Sequence, residues 1–204
     1  MRDRTPDLRE WWITLLAKHD ALLAVDVQRD FEPGGALAVP NGDGVVPVLA
    51  ACIEEFNRNN LPVIASRDWH PEDHCSFQMQ GGPWPPHCVA DTPGAELDPA
   101  LGLPAEAKII DKAQRADQDT YSAFEGNELH SWLREKGVQR LFIGGLATEY
   151  CVLNTATDAL RNGYQVVLLA DAIRAIDPAA GENAIEDLRS SGACISQSGE
   201  LFDG

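Results

Sequence analysis

Runs of strand length that are apolar throughout, rather than at every second residue, recur along this chain and alternate with segments of helical period. ALLAVDV (21–27), PVIASRD (62–68), RLFIGG (140–145) and QVVLLADA (165–172) are of this kind, with shorter runs at AKIID (107–111) and ACIS (193–196). A strand that is apolar on both faces must be covered on both, which is how a parallel sheet behaves between two layers of helices. The helical segments are 45–59, 127–137, 148–163 and 179–190. Strand and helix in alternation predict an α/β fold, a three-layer α/β/α sandwich with a mostly parallel, Rossmann-like sheet. A further short helix is expected over 8–18, ahead of the first strand.

With 204 residues, the chain has the length of one domain, 1–204, in which 1–20 form an N-terminal extension. The interval 69–106 is rich in Pro, Gly and His and has little periodicity. Loops of that length inside a compact domain are commonly functional, the alternative being a disordered insertion.

Several function classes are excluded early. A net charge of -16 repels phosphate backbones and anionic lipid, and the 16 basic residues form no cluster, so nucleic acid is not an expected partner. No stretch approaches the roughly 18 apolar residues of a membrane helix, so no membrane association is expected. The opening MRDRTPDLREWW does not have the pattern of a secretory signal, which predicts a cytoplasmic protein. Five cysteines without a CxxC pair predict reduced thiols. Homo-oligomers are compatible with this acidity, since an interface needs only local complementarity.

In an open parallel sheet, ligands bind beyond the carboxyl ends of the strands. The first strand leads to Asp26, the second ends in Asp68, the next leads to Lys112, and RLFIGG leads through Leu146 and Ala147 to Cys151. Taken singly these residues have ordinary explanations: Asp26 as a turn cap, Lys112 as a solvated charge, Cys151 as a small packing residue. Taken together they converge on one rim. Cys151 falls in the first turn of the helix that opens at Thr148, where unpaired amides favour a thiolate, and a depressed thiol pKa is expected. The same turn places the Cys151 amide near an oxyanion formed by its attack, with Asp26 as proton acceptor and Lys112 as the balancing charge.

A second constellation lies in the long loop. SRDWHPEDH (66–74) offers Asp68 and His70, and WPPHC (84–88) supplies His87. One carboxylate and two imidazoles form a common ligand set for a divalent ion, zinc first and iron or manganese as alternatives. The other reading is capping within a polar loop. Three of the five histidines fall between 70 and 87, which favours metal, with His74 as a fourth ligand or a support to the others.

The ordered set VDVQRDF (25–31), SRDWHPEDH, GGPWPPHCV (81–89), the lysine of IIDK (109–112) and GGLATEYCV (144–152) resembles the nicotinamidase/pyrazinamidase family, within the isochorismatase-like cysteine hydrolase superfamily. The resemblance implies a triad of Asp26, Lys112 and Cys151, a metal on Asp68, His70 and His87, and a cis peptide between Leu146 and Ala147. It also implies oxyanion donors at the amides of Ala147 and Cys151. Family members look like enzymes of NAD salvage that bring the pyridine nitrogen of nicotinamide to the metal and stack its ring on aromatics. Phe31, Trp84 and Leu146 are the matching substrate-binding positions, although core packing is the commoner fate of an aromatic side chain. The implied reaction is deamidation of nicotinamide, and of pyrazinamide, through a Cys151 thioester. The alternatives are a carbamoyl-amide, ureidoacrylate or biuret hydrolase of the same superfamily, or a non-catalytic metal-binding module.

Overall fold

In a computed structural model, residues 16–201 are described. Most of the helix expected over 8–18 lies outside them, and 16–19 lead without helical structure into the sheet. Six strands follow: β1 (Asp20–Val25), β2 (Val63–Asp68), β3 (Lys108–Lys112), β4 (Arg140–Leu146), β5 (Gln165–Arg174) and β6 (Cys194–Ser196). Their order is β3-β2-β1-β4-β5-β6, and every neighbouring pair is parallel. The order reverses between β1 and β4, so the crevice beyond the carboxyl ends of these two strands is where such a sheet receives a ligand.

Alternate residues of β1 feed two separate cores. Leu22 and Ala24 pack with Leu49, Ile53 and Phe56 of α1 (Val46–Arg58). Ala21, Leu23 and Val25 pack with Leu129 and Leu133 of α2 (Leu129–Glu135), Ala156 and Ala159 of α3 (Leu153–Arg161), and Leu188 of α4 (Pro178–Ser190). The α1 residues recur at helical spacing, Leu49, Cys52, Ile53 and Phe56, which turns one stripe to the sheet. At the opposite end from the crevice, Arg140 of β4 grips Asp20 of β1 through two hydrogen bonds of 2.8 and 2.6 Å. No helix among the described residues is long and apolar enough to cross a membrane.

Two local departures from regular structure shape the crevice. The run read as 21–27 stops at Val25 because Asp26 takes a left-handed φ of 50°, which turns the backbone away from the sheet. The segment read as one helix over 148–163 begins as a π-helical turn, Thr148–Val152, before α3 starts at Leu153. Within it the Ala147 carbonyl accepts from the amides of Tyr150 and Val152, so the five-residue reach of the second bond widens the turn that carries Cys151. Gly145 brings the strand to this point: a Cβ there would lie 1.9 Å from the carbonyl oxygen of Val25, so only glycine permits this approach of β4 to β1.

The interval between β2 and β3 carries only short 3-10 turns, but it is tied down. His70 and Val89 form an isolated parallel bridge, and the amide of Cys75 donates to the carbonyl of Ala116.

Candidate active site

Asp26, Lys112 and Cys151 meet in the crevice. The Lys112 ammonium, wholly buried, lies 3.0 Å from Oδ2 of Asp26, 2.5 Å from Oδ1 of Asp68 and 3.4 Å from Sγ of Cys151. Oδ1 of Asp26 accepts from the Ser66 hydroxyl at 2.7 Å. Oδ2 has no hydrogen bond of good angle to the lysine, which leaves this oxygen available to the thiol. One oxygen each from Asp26 and Asp68, together with the sulfur of Cys151, lie within 4.8 Å of one another.

The charges follow from this crowding. Burial raises the pKa of Asp26, with Lys112 opposing, and so makes Asp26 a stronger base than an ordinary carboxylate. Burial also works against ionisation of Asp68, but Lys112 and the neighbouring imidazoles hold its carboxyl below the usual range. Burial disfavours the charge of Lys112, yet Asp26, Asp68 and Cys151 together push its pKa well above the ordinary lysine value. The thiol departs from expectation. Burial drives the Cys151 pKa well up, and Asp26 and Asp68 add to this against Lys112, the opposite direction to the depression expected from a helix terminus.

Asp68, His70 and His87 form a second buried group, one ligand atom of each lying within 4.8 Å of the others. Nε2 of His70 is 3.7 Å from Oδ2 of Asp68. Nδ1 of His70 is 3.3 Å from the carbonyl oxygen of Ala113, and Nδ1 of His87 is 2.8 Å from that of Pro85, which leaves Nε2 of each ring available to a metal. Burial lowers the pKa of His70 to about 4 and depresses that of His87, so both imidazoles are neutral, as a metal requires. Donor type, spacing and protonation all fit a divalent ion. His74 does not join them: its ring nitrogens are engaged by the Ser76 hydroxyl at 2.7 Å and the Gln118 carbonyl at 3.1 Å, while its ring packs 4.1 Å from that of His70. Its contacts suit a support to His70 better than a fourth ligand.

A cavity opens onto Cys151, Ala147, Asp68 and His87, walled by Phe31, Trp84, Leu37, Tyr121, Tyr150 and Ile176. Phe31 and Trp84 thus stand where substrate-binding residues were expected. Leu146 does not. It is fully buried in the α1-side core and absent from the cavity wall, because the alternation of β4 sends it to the same face as Phe142. The peptide between Leu146 and Ala147 is cis. Tyr121 and Tyr150 were missed by the sequence reading. Trp84 donates from Nε1 to the Tyr121 hydroxyl at 3.2 Å, and its ring meets that of Tyr150 edge-on at 5.2 Å. The adjacency of Tyr150 to Cys151 was the one available signal.

Comparison with known proteins gives a consistent result. The isochorismatase domain family matches residues 20–200. A nicotinamidase of Escherichia coli (strain K12) is 39% identical over 198 residues, covering 86% of this chain and 93% of the relative. The crystal structure of a pyrazinamidase of Pyrococcus horikoshii in complex with zinc is 50% identical, with a TM-score of 0.86 over 88% of this chain and 99% of that one. The structure of PnC1 from L. infantum in complex with nicotinate is 36% identical, with a TM-score of 0.82 over 93% of this chain and 98% of that one.

Proposed function

The chain belongs to the isochorismatase domain family, and from that premise we propose that it is a metal-containing cysteine amidohydrolase that converts nicotinamide to nicotinate and ammonia, and also accepts pyrazinamide. The observation that carries this reading is the placing of a thiol, a carboxylate of raised basicity and a buried ammonium around one point of an aromatic-walled cavity. The neutral imidazoles beside that point favour a pyridine carboxamide over a urea.

In this reading the carboxamide carbon is presented to Sγ of Cys151. As sulfur attacks, its proton passes to Asp26, and the amides of Ala147 and Cys151 stabilise the oxyanion. Asp26 returns the proton to the amide nitrogen, the C–N bond breaks, and ammonia leaves a thioester. A water molecule then gives a proton to Asp26 as its oxygen attacks the thioester. The C–S bond breaks, and the thiol recovers its proton from Asp26. Throughout, Lys112 remains charged and offsets the carboxylates. Asp68, His70 and His87 would hold the divalent ion, for which zinc is our assignment with iron or manganese as alternatives, and the ion when bound would supply a Lewis acid for the pyridine nitrogen of the substrate. The net charge of -16 disfavours nucleic acid as a partner, and cytoplasmic residence is our expectation.

An ammonia-release assay over nicotinamide, pyrazinamide, carbamoylated amino acids and ureidoacrylate, paired with elemental analysis, tests the proposal. Nicotinamide is expected to be preferred, with about one metal per chain, and Cys151→Ala to abolish turnover while keeping the metal. Preference for a ureido substrate, or substantial turnover by Cys151→Ala, overturns it.

A further inference from the structure

The pairing of β1 with β2 ends at Val25 and Ser66, and one further hydrogen bond runs from the Asp26 amide to the Ser66 carbonyl. Beyond it the left-handed Asp26 carries β1 out of the sheet, while β2 continues to Asp68. On that side the Asp68 backbone has lost its partner strand. Gln28 replaces it. Its Oε1 accepts from the Asp68 amide at 2.8 Å, and its Nε2 donates to the Asp68 carbonyl at 2.8 Å and to the Ala95 carbonyl at 2.9 Å. A carboxamide side chain offers the same donor and acceptor pair as a peptide group, so it completes the interrupted ladder.

The surroundings make this more than local repair. Gln28 is fully buried, its own amide donates to the Asp26 carbonyl at 2.9 Å, and it forms an isolated antiparallel bridge with Leu97. It therefore links the segment of the base, the end of β2 and the far limb of the long loop. Asp68 in turn divides its carboxylate, one oxygen 2.5 Å from Lys112 and the other 3.7 Å from His70. A carboxylate with two duties tolerates little rotation of the backbone that carries it.

We propose that Gln28 is a positioning residue that sets the Asp68 backbone so that one oxygen serves Lys112 and the other serves the metal group. This rests on the metal reading given above. Residues that orient metal ligands typically change metal affinity by about 10- to 100-fold when removed, and a loss of that order is expected here.

The test is zinc affinity of the full chain, measured by competition with a chromophoric chelator and read beside thermal stability. Gln28→Met keeps the volume and deletes all three hydrogen bonds, whereas Gln28→Ala leaves room for water at the stranded groups. Both are expected to weaken zinc by about 10-fold or more. Leu133→Ala, a truncation in the fully buried face of α2, serves as the control: it lowers stability and is expected to leave zinc affinity within about threefold, since a distant cavity does not rotate the ligand. If Gln28→Met does not accumulate as folded protein, Gln28→Ala provides the comparison. Gln28 variants that bind zinc as tightly as the parent, or a control that weakens as much as they do, overturn the assignment. A parent chain that binds no zinc sinks the metal reading and this one with it, an outcome distinct from tight binding by parent and variants alike.

Discussion

Lys112 Nζ and Asp68 Oδ1 stand 2.5 Å apart in the buried crevice, and through this ion pair the thiol side of the site and the histidine side share one carboxylate. The same ammonium lies 3.0 Å from Asp26. Two carboxylates, a thiol and one fixed positive charge thus occupy a volume in which water does not screen them, and removing any member changes the protonation of the rest.

Lys112→Met tests that balance. Removing one partner of a buried pair typically costs roughly 3–5 kcal/mol, because the uncompensated charge stays behind. The metal-free variant is expected to lose stability of that order at neutral pH in urea unfolding. Without the lysine, Asp26 and Asp68 repel each other and their folded pKa values rise, so the folded variant binds protons more tightly than the unfolded chain. The deficit should therefore shrink as pH falls from 7 towards 5. A deficit that stays constant over this range contradicts the shared-charge account.

The protonated resting thiol has its own signature. Because burial and the neighbouring carboxylates raise the Cys151 pKa well above the ordinary thiol value, the thiolate fraction at neutral pH is small. Inactivation by iodoacetamide, which needs the thiolate, should rise about tenfold per pH unit through neutrality. A rate already level below pH 7 would indicate a preformed thiolate and would restore the expectation drawn from the helix terminus.

The sheet was legible because its strands are apolar on both faces, and the gathering of Asp26, Lys112 and Cys151 was legible because they stand at or beyond strand ends. What was misread has traceable causes. Leu146 was expected among the substrate-binding positions through the family resemblance, whereas a period-two count from Phe142 sends it to the core. Ile176 was overlooked because the fifth strand was read as ending at 172; it runs to Arg174, which places Ile176 at a strand end like the other site residues. Tyr121 and Leu37 stand on loops whose course no periodicity encodes. For His74 the sequence leaves open a fourth ligand or a support to the others, and the Ser76 hydroxyl and Gln118 carbonyl that engage its ring nitrogens favour the support. The thiol pKa depends on burial and on side chains distant in sequence.

The aromatic wall separates binding from chemistry. Tyr121→Phe removes the acceptor for the Trp84 indole while keeping the ring. A neutral hydrogen bond contributes about 0.5–1.5 kcal/mol, so KM for nicotinamide should rise about two- to tenfold with kcat little changed. Trp84→Ala removes the wall itself and is expected to raise KM further. Equal losses in kcat and kcat/KM for Tyr121→Phe would instead place its effect in the transition state.

Glu32, the residue after the cavity-lining Phe31, makes stability depend on pH in a direction unusual for a carboxylate. Burial, reinforced by repulsion from Asp98 and Asp43, raises its pKa to about 7, against 4.5 for an ordinary glutamate, and its Oε1 is buried without a hydrogen-bond partner. The folded state therefore holds this proton more tightly than the unfolded chain. The resulting contribution to stability is full below pH 4.5 and is lost as pH rises through about 7, the value set by burial and Asp98. Glu32→Gln keeps the shape and cannot ionise. The difference in thermal midpoint between Glu32→Gln and the parent isolates this group from all others that titrate. That difference should be small at pH 5 and grow in favour of the glutamine variant up to pH 8. A difference independent of pH, or one favouring the parent at pH 8, would show that Glu32 ionises in the folded protein without cost.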